Sequence, residues 1–221
     1  AIDYALTKVK LEDSIEVNQE LLNLVPQESS LAHLKPGNYT AEQIMQAMLV
    51  PSGNDAAFAL AYNIGKKDLG DGYSAKKYVN YFVKNLSKYL ADEGYNKTHL
   101  FDPSGFSTQA DTNLKDINRV ALKLIDYDFV KKCMGKSSFT IQTPQGEMNW
   151  KNTNEFLNPK SAFYNKDVKG IKTGTMASSY NIVVLYENNG KKYLITCLAS
   201  HTNEDRYKAV QAAINTIINK E

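Results

Sequence analysis

The chain has 221 residues and a formal net charge of +2, with 43% hydrophobic and 23% charged residues. This length allows one large domain or two small ones, each with a substantial buried core. The near-neutral, scattered charge excludes a nucleic-acid partner and any strong attraction to an anionic membrane. No stretch is long and apolar enough to span a bilayer.

The cysteines and histidines carry no metal signature. Cys133 and Cys197 lack metal-ligand spacing, and the three histidines do not cluster near them. We therefore predict neither a metal nor another cofactor. Two free, buried thiols are favoured over a disulfide because buried cysteine behaves as a small hydrophobic side chain, although spacing alone leaves a bridge between them open.

The first part of the chain, residues 1–134, is predicted to be mainly helical. Ala1–Leu6 reads as the second half of an amphipathic helix, which predicts further residues before Ala1. Leu11–Val17 reads as an extended piece, and Pro36–Gly37 marks a turn.

Two helices flank a break at Pro51–Gly53. Thr40, with a glutamine three residues later, forms a capping box that starts the first helix. The second helix is predicted to be capped by Asn54 or Asp55 and to end at Gly65. The apolar period predicts two further helices, over residues 74–92 and 111–126.

The second part, residues 135–221, changes to an alternating pattern. Asn189–Gly190 is a strong hairpin signal between the last two strands. A helix over 204–218 is predicted to cover the sheet. The predicted strands are 139–143, 171–176, 181–186 and 193–199. Helices first and antiparallel strands later predict an α+β fold in one domain over 1–221, an antiparallel sheet covered by helices plus a helical region.

A tetrapeptide near the end of a predicted strand has a clear chemical logic. Lys172 and Gly174 face one side, while Thr173 and Thr175 face the other side or the strand edge. Gly174 lets a substrate backbone approach closely. Lys172 supplies a fixed positive charge, and the two hydroxyls are donors for a carboxylate. Alone, the pattern is equally explained by a solvated lysine on a strand edge.

A second motif, Ser52-Gly53-Asn54, lies at the junction of two predicted helices. Alone, it is explained by a turn with an asparagine cap. Combined with Lys172 and its hydroxyl neighbours downstream, it indicates a serine acyl-transfer site that binds a carboxylate and shuttles protons.

In this order the two motifs resemble those of the penicillin-recognising serine enzymes. The chain is similar to the low-molecular-mass D-alanyl-D-alanine carboxypeptidases in four segments: 39–57, 98–105, 152–154 and 168–174. The resemblance implies a β-lactamase/transpeptidase-like fold and a domain of the catalytic type. It also implies a role in peptidoglycan biosynthesis and cell shape, outside the cytoplasm in the bacterial envelope or secreted.

The resemblance further implies roles for individual residues. Ser52 relays a proton toward the leaving amine, and Asn54 holds the peptide group of the substrate. Lys172 keeps the site electropositive, while Thr173 and Thr175 bind the terminal carboxylate. The Thr175 N–H contributes to the oxyanion hole. The implied partners are a peptidoglycan stem peptide ending in D-Ala-D-Ala and β-lactam antibiotics.

The Ser-x-x-Lys motif that carries the nucleophile in this family has no convincing match. Ser74–Lys77 fits the pattern, but we interpret it as a chance match at the start of a helix. The true motif and the first two sheet strands are expected upstream of Ala1. This chain alone is therefore predicted to be inactive, and its own N-terminal fragment is predicted to fill the open sheet edge.

Two alternatives stay open. A non-catalytic paralogue would bind stem peptides without cleaving them, which the missing nucleophile also explains. A class A β-lactamase is suggested by Glu155–Asn158, which resembles a deacylating glutamate loop. The spacing and flanks of that loop fit the carboxypeptidase pattern better.

Overall fold

The computed structural model describes residues 1–219, which form two compact units. The first unit comprises residues 1–116 and 140–150, and the second comprises 117–139 and the chain from 151 onward. The prediction of one domain over 1–221, divided at 134/135, stays a prediction.

The helices and strands follow one another in mixed order along the chain. The helices are α1 Ile2–Ala5, α2 Gln19–Leu22, α3 Ala41–Leu49, α4 Asn54–Leu69, α5 Ala75–Asp92, α6 Leu114–Leu124, α7 Asp128–Met134 and α8 Asn203–Ile218. The strands are β1 Ser14–Val17, β2 Gly37–Thr40, β3 Ser138–Thr143, β4 Gly146–Lys151, β5 Val168–Met176, β6 Ser179–Asn188 and β7 Lys191–Ser200.

The capping box predicted at the start of α3 is confirmed. The Gln43 N–H donates to Thr40 Oγ1 at 3.2 Å, and the Gln43 side chain accepts from the Thr40 N–H at 3.0 Å. At the start of α5, Ser74 Oγ accepts from the Lys77 N–H at 3.3 Å. Ser74 is thus a helix cap, as expected if its match to Ser-x-x-Lys arose by chance.

The predicted end of α4 at Gly65 is wrong, because the helix continues to Leu69. A Cβ atom at Gly65 would lie 2.2 Å from the backbone oxygen of Tyr78 in α5. The glycine therefore allows α4 and α5 to approach closely. Gly70, with φ +80°, is the residue that follows the helix.

The predicted helix at Ala1–Leu6 is confirmed as the short helix Ile2–Ala5, and turns follow it. The Asp13 carboxylate accepts the N–H of Lys10 at 3.0 Å, which replaces a helical acceptor. Several short elements escaped prediction, since four to seven residues carry too little of any period: α2, α7, β2 and β4.

The sheet of the second unit is antiparallel in the order β5-β6-β7. Asn188 pairs with Lys191 across the turn Asn189–Gly190, whose φ angles are +48° and +75°. This geometry confirms the predicted hairpin, because a two-residue turn of this kind requires positive φ at both positions.

Helix α8 covers one face of this sheet, as predicted. Tyr207, Val210 and Ile214 are fully buried and pack with Ile182 and Val184 of β6. The predicted α+β class, an antiparallel sheet covered by helices, is therefore confirmed.

Candidate active site

In the first unit, the turn between α3 and α4 carries Ser52, and Asn54 is the first residue of α4. Ser52 has φ +63°, a left-handed conformation that costs a non-glycine residue about 1–3 kcal/mol. Asn54 is 8% exposed, and its Nδ2 donates to the backbone oxygens of Ser30 at 2.9 Å and Ser52 at 3.3 Å. The asparagine thus fixes the turn against the preceding loop.

Neither Asn54 nor Asp55 caps α4, contrary to the sequence prediction, since Gly53 occupies the N-cap without a side-chain bond. The Asp55 carboxylate instead accepts the N–H groups of Ala32 at 2.8 Å and Leu34 at 3.0 Å. At Gly53, a Cβ would lie 2.7 Å from Ala32 Cβ, so the loop and the turn require glycine there.

Strand β5 presents the second motif, in the second unit. Lys172 is half-buried, and its Nζ donates to the backbone oxygen of Thr173 at 2.8 Å. Burial, together with the nearby positive charge of Arg206, lowers the pKa of Lys172 from 10.5 to about 7. Both effects oppose the fixed positive charge that the sequence predicts for Lys172, whose role in a site stays a prediction.

The two threonines of the motif lie in different surroundings. Thr173 is 7% exposed, and its Oγ1 lies 2.5 Å from Thr153 Oγ1. Gly174 and Thr175 are exposed. Thr175 thus carries the solvent-exposed hydroxyl at this end of the strand, while the hydroxyl of Thr173 is buried against Thr153.

Arg206 at the start of α8 is a candidate site residue that the sequence reasoning missed. Although it is only 5% exposed, its Nη1 donates to Gly174 O at 3.2 Å and to Thr175 Oγ1 at 3.1 Å. Its guanidinium carbon also lies 5.1 Å from the ring centre of Tyr207. Arg206 is one of only two arginines in a chain rich in lysine. That rarity, directly before the apolar face of a predicted helix, could have drawn attention to it.

The segment behind Thr173 is anchored by Tyr207 of α8. The phenol oxygen accepts from the Glu155 N–H at 3.1 Å and donates to Thr153 O at 3.3 Å. Asn154, 1% exposed, accepts the Phe156 N–H at 3.1 Å. The motif at 152–154 therefore serves as a rigid support for β5.

Within the second unit, Arg206 thus accompanies the motif residues Lys172, Thr173, Gly174 and Thr175. Ser52 and Asn54 belong to the first unit. A shared pocket for the two motifs stays a prediction.

Other chemical groups play a smaller part. Cys133 is buried, Cys197 is half-buried, and neither is in a disulfide. Within residues 1–219, no group of three or more His, Cys, Asp or Glu side chains could hold a metal ion. In the same described range, no helix combines the length and apolarity that a membrane crossing requires.

Comparison with known proteins gives consistent matches along nearly the whole chain. The profile of a family described as D-alanyl-D-alanine carboxypeptidase matches residues 2–201. A D-alanyl-D-alanine carboxypeptidase from Streptomyces sp. (strain K15) is 30% identical over 187 residues, covering 80% of this chain and 60% of the relative. The D-alanyl-D-alanine carboxypeptidase DacF of Bacillus subtilis is 22% identical over 203 residues, covering 90% of this chain and 47% of the relative.

This chain therefore spans about half to three fifths of the length of these curated relatives. The crystal structure of the Streptomyces K15 DD-transpeptidase matches with a TM-score of 0.79 at 24% identity, over 97% of this chain and 82% of that chain. At this identity the likeness establishes the fold, and it confirms the predicted transpeptidase-like architecture.

Proposed function

The chain belongs to the D-alanyl-D-alanine carboxypeptidase family, and we propose that the protein containing it removes the terminal D-Ala from peptidoglycan stem peptides. The observation that carries this proposal is the end of β5. There Thr175 is exposed, and the buried Arg206 donates to its hydroxyl at 3.1 Å. A guanidinium beside a hydroxyl suits a carboxylate, which accepts charge-assisted hydrogen bonds. A D-Ala-D-Ala terminus carries such a group.

The proposed reaction proceeds through an acyl-enzyme. A serine oxygen, from a Ser-x-x-Lys segment in the full-length protein, forms a bond to the carbonyl carbon between the two D-alanines. The C–N bond then breaks, and the D-Ala amine leaves with a proton relayed through Ser52. Water hydrolyses the resulting ester and releases the shortened peptide.

Lys172 suits a proton-handling role in this scheme. A lysine with a pKa near 7 exchanges a proton readily at neutral pH, as general acid–base chemistry requires. We assign Lys172 to biasing Ser52 as a donor and to attracting the carboxylate that Thr173 and Thr175 bind. Asn54 holds the peptide group, and the Thr175 N–H contributes to the oxyanion hole. This assignment requires both motifs to line one pocket.

A further part of the proposal concerns strand β7 and the location of the protein. Among the described residues, β7 pairs only with β6. The strand carries apolar residues on both faces, with Leu194 on one face and Ile195 and Cys197 on the other. This pattern is typical of an interior strand. We propose that an N-terminal segment of the same protein pairs with this edge.

The proposed location follows from the proposed substrate. The protein acts outside the cytoplasm, where peptidoglycan is built.

The test uses the full-length protein in two assays. We expect covalent labelling by a fluorescent penicillin, blocked by excess unlabelled penicillin. We also expect release of D-Ala from a peptide ending in D-Ala-D-Ala, with a peptide ending in L-Ala-L-Ala as the unreactive control. Binding of the D-Ala-D-Ala peptide without labelling or release would instead favour the non-catalytic paralogue. Rapid turnover of nitrocefin would favour the β-lactamase.

A further inference from the structure

Two threonine side chains meet behind the exposed end of β5. The Oγ1 atoms of Thr153 and Thr173 are 2.5 Å apart, and either of them could be the donor. Each hydroxyl has one hydrogen and can accept as well as donate. When one hydroxyl donates across this contact, the hydrogen of the other is therefore free to bond elsewhere.

Thr153 is held firmly in place by the core. Its backbone oxygen accepts from the Tyr207 hydroxyl at 3.3 Å, and that hydroxyl also accepts the Glu155 N–H at 3.1 Å. Tyr207 is fully buried, with its ring stacked on Phe163 at 4.9 Å and edge-on to Phe156 at 5.2 Å. This anchoring fixes the backbone from which the Thr153 hydroxyl reaches Thr173.

We propose that Thr153 is a positioning residue for the substrate carboxylate: it donates to Thr173 Oγ1 and so leaves the Thr173 hydrogen for a carboxylate oxygen. This inference rests on the proposed function, in which Thr173 binds the terminal carboxylate. An ionised carboxylate can only accept. Once it is bound, Thr173 must donate to it, and the contact with Thr153 must run from Thr153 to Thr173. Successive hydrogen bonds in such a chain polarise and strengthen one another.

The test compares Thr153→Val, which removes the hydroxyl at nearly constant shape, with Thr153→Ser, which keeps it. Both are measured in the full-length protein as KM and kcat for a peptide ending in D-Ala-D-Ala. One hydrogen bond typically changes an equilibrium about two- to tenfold. We expect Thr153→Val to raise KM by about that factor with kcat within about twofold of the wild type. Thr153→Ser should restore the wild-type KM.

A double-mutant cycle with Thr173→Val adds a second readout. If Thr153 acts through Thr173, Thr153→Val has no further effect on KM once Thr173 lacks its hydroxyl. The matched control is Thr216→Val, which removes an exposed hydroxyl bonded to Ala212 O in α8. It should leave both constants unchanged.

The outcomes separate this inference from the function on which it rests. A wild-type protein that neither reacts with penicillin nor releases D-Ala overturns the proposed function. An active wild type together with an unchanged KM in Thr153→Val overturns only the inference, as does a fall in kcat at constant KM. Unfolding midpoints are measured for every variant. Should Thr153→Val unfold, Thr153→Cys replaces it, because a thiol is a weak donor of similar size. Its KM should lie above that of the wild type and of Thr153→Ser, and below that of Thr173→Val.

Discussion

At the scale of single residues, tertiary contacts determine the chemical state of each side chain in the motif on β5. The lowered pKa of Lys172 depends on burial and on Arg206, which lies on a helix more than thirty residues downstream. Thr173 and Thr175 look alike in sequence, yet only Thr173 is engaged by Thr153. Such differences arise from tertiary contacts, which strand periodicity does not encode.

The lowered pKa of Lys172 predicts how stability varies with pH. Between pH 7 and 10.5, the folded chain releases a proton that the unfolded chain keeps. The free energy of unfolding therefore gains a contribution that rises with pH across this window. Lys172→Met removes this contribution. The free energy of unfolding of the wild type should therefore rise relative to that of the variant as the pH rises. Urea unfolding at pH 7 and pH 10 measures the change.

The matched control is Lys169→Met on the same strand, whose ammonium donates to the Lys166 backbone oxygen in an exposed position. For this variant we expect the difference from the wild type in the free energy of unfolding to be the same at both pH values. A constant difference between Lys172→Met and the wild type at the two pH values would contradict the lowered pKa.

Arg206 supports a second prediction at this scale. Arg206→Lys keeps a positive charge but loses the planar fork that reaches Gly174 and Thr175. Hydrogen bonds to charged groups typically contribute about 1.5–3 kcal/mol. We expect KM for a D-Ala-D-Ala peptide to rise about 10- to 100-fold. Steady-state kinetics of the full-length protein measure this. A KM within about twofold of the wild-type value would refute the prediction, because the loss of a charge-assisted bond should change KM by more than that.

At the scale of helices and strands, long periodic segments were predictable and short or tightly packed ones were not. The strands around Asn189–Gly190 follow from local turn chemistry. Gly65 misled the prediction because a glycine inside a helix and one at its end look the same in sequence. What separates them is the approach of the Tyr78 backbone, a contact between two helices.

Gly65→Ala is therefore expected to destabilise the protein although alanine favours helices. The new Cβ would lie 2.2 Å from Tyr78 O, a backbone atom that cannot rotate away. Overpacking of this kind typically costs about 1–3 kcal/mol. Chemical unfolding measures the loss. The control Ser87→Ala, on the exposed side of α5, should change the free energy of unfolding by less than about 0.5 kcal/mol. A Gly65→Ala variant more stable than the wild type would rule out the close approach.

The loop beside the Ser52 turn depends on one buried carboxylate. Asp55→Asn replaces one acceptor oxygen by an NH2 group, which can only donate. One of the two N–H groups, that of Ala32 or that of Leu34, therefore loses its acceptor. A buried donor left without a partner costs about 1–3 kcal/mol, and we expect a loss of that size in urea unfolding. Asp92→Asn, in an exposed pair with Lys88, is the matched control and should have little effect. Equal, small effects of both changes would show that Asp55 does not hold the loop.

At the scale of the whole molecule, β7 pairs only with β6 among residues 1–219, and this edge determines how the chain behaves alone. An apolar strand with an unpaired edge invites pairing with another strand. We expect isolated residues 1–221 to self-associate or to melt over a broad range, as followed by analytical ultracentrifugation and thermal unfolding. A sharp, cooperative melt as a monomer would argue against a missing partner strand.

The most direct measurement is a crystal structure of the full-length protein acylated by a penicillin. We predict one antibiotic molecule whose carboxylate contacts Thr175 and Arg206 and whose amide lies within hydrogen-bonding distance of Asn54. Lys172 and Ser52 should line the same pocket. An acylated serine whose bound antibiotic contacts β5 but leaves Ser52 and Asn54 on a distant surface would contradict a shared site.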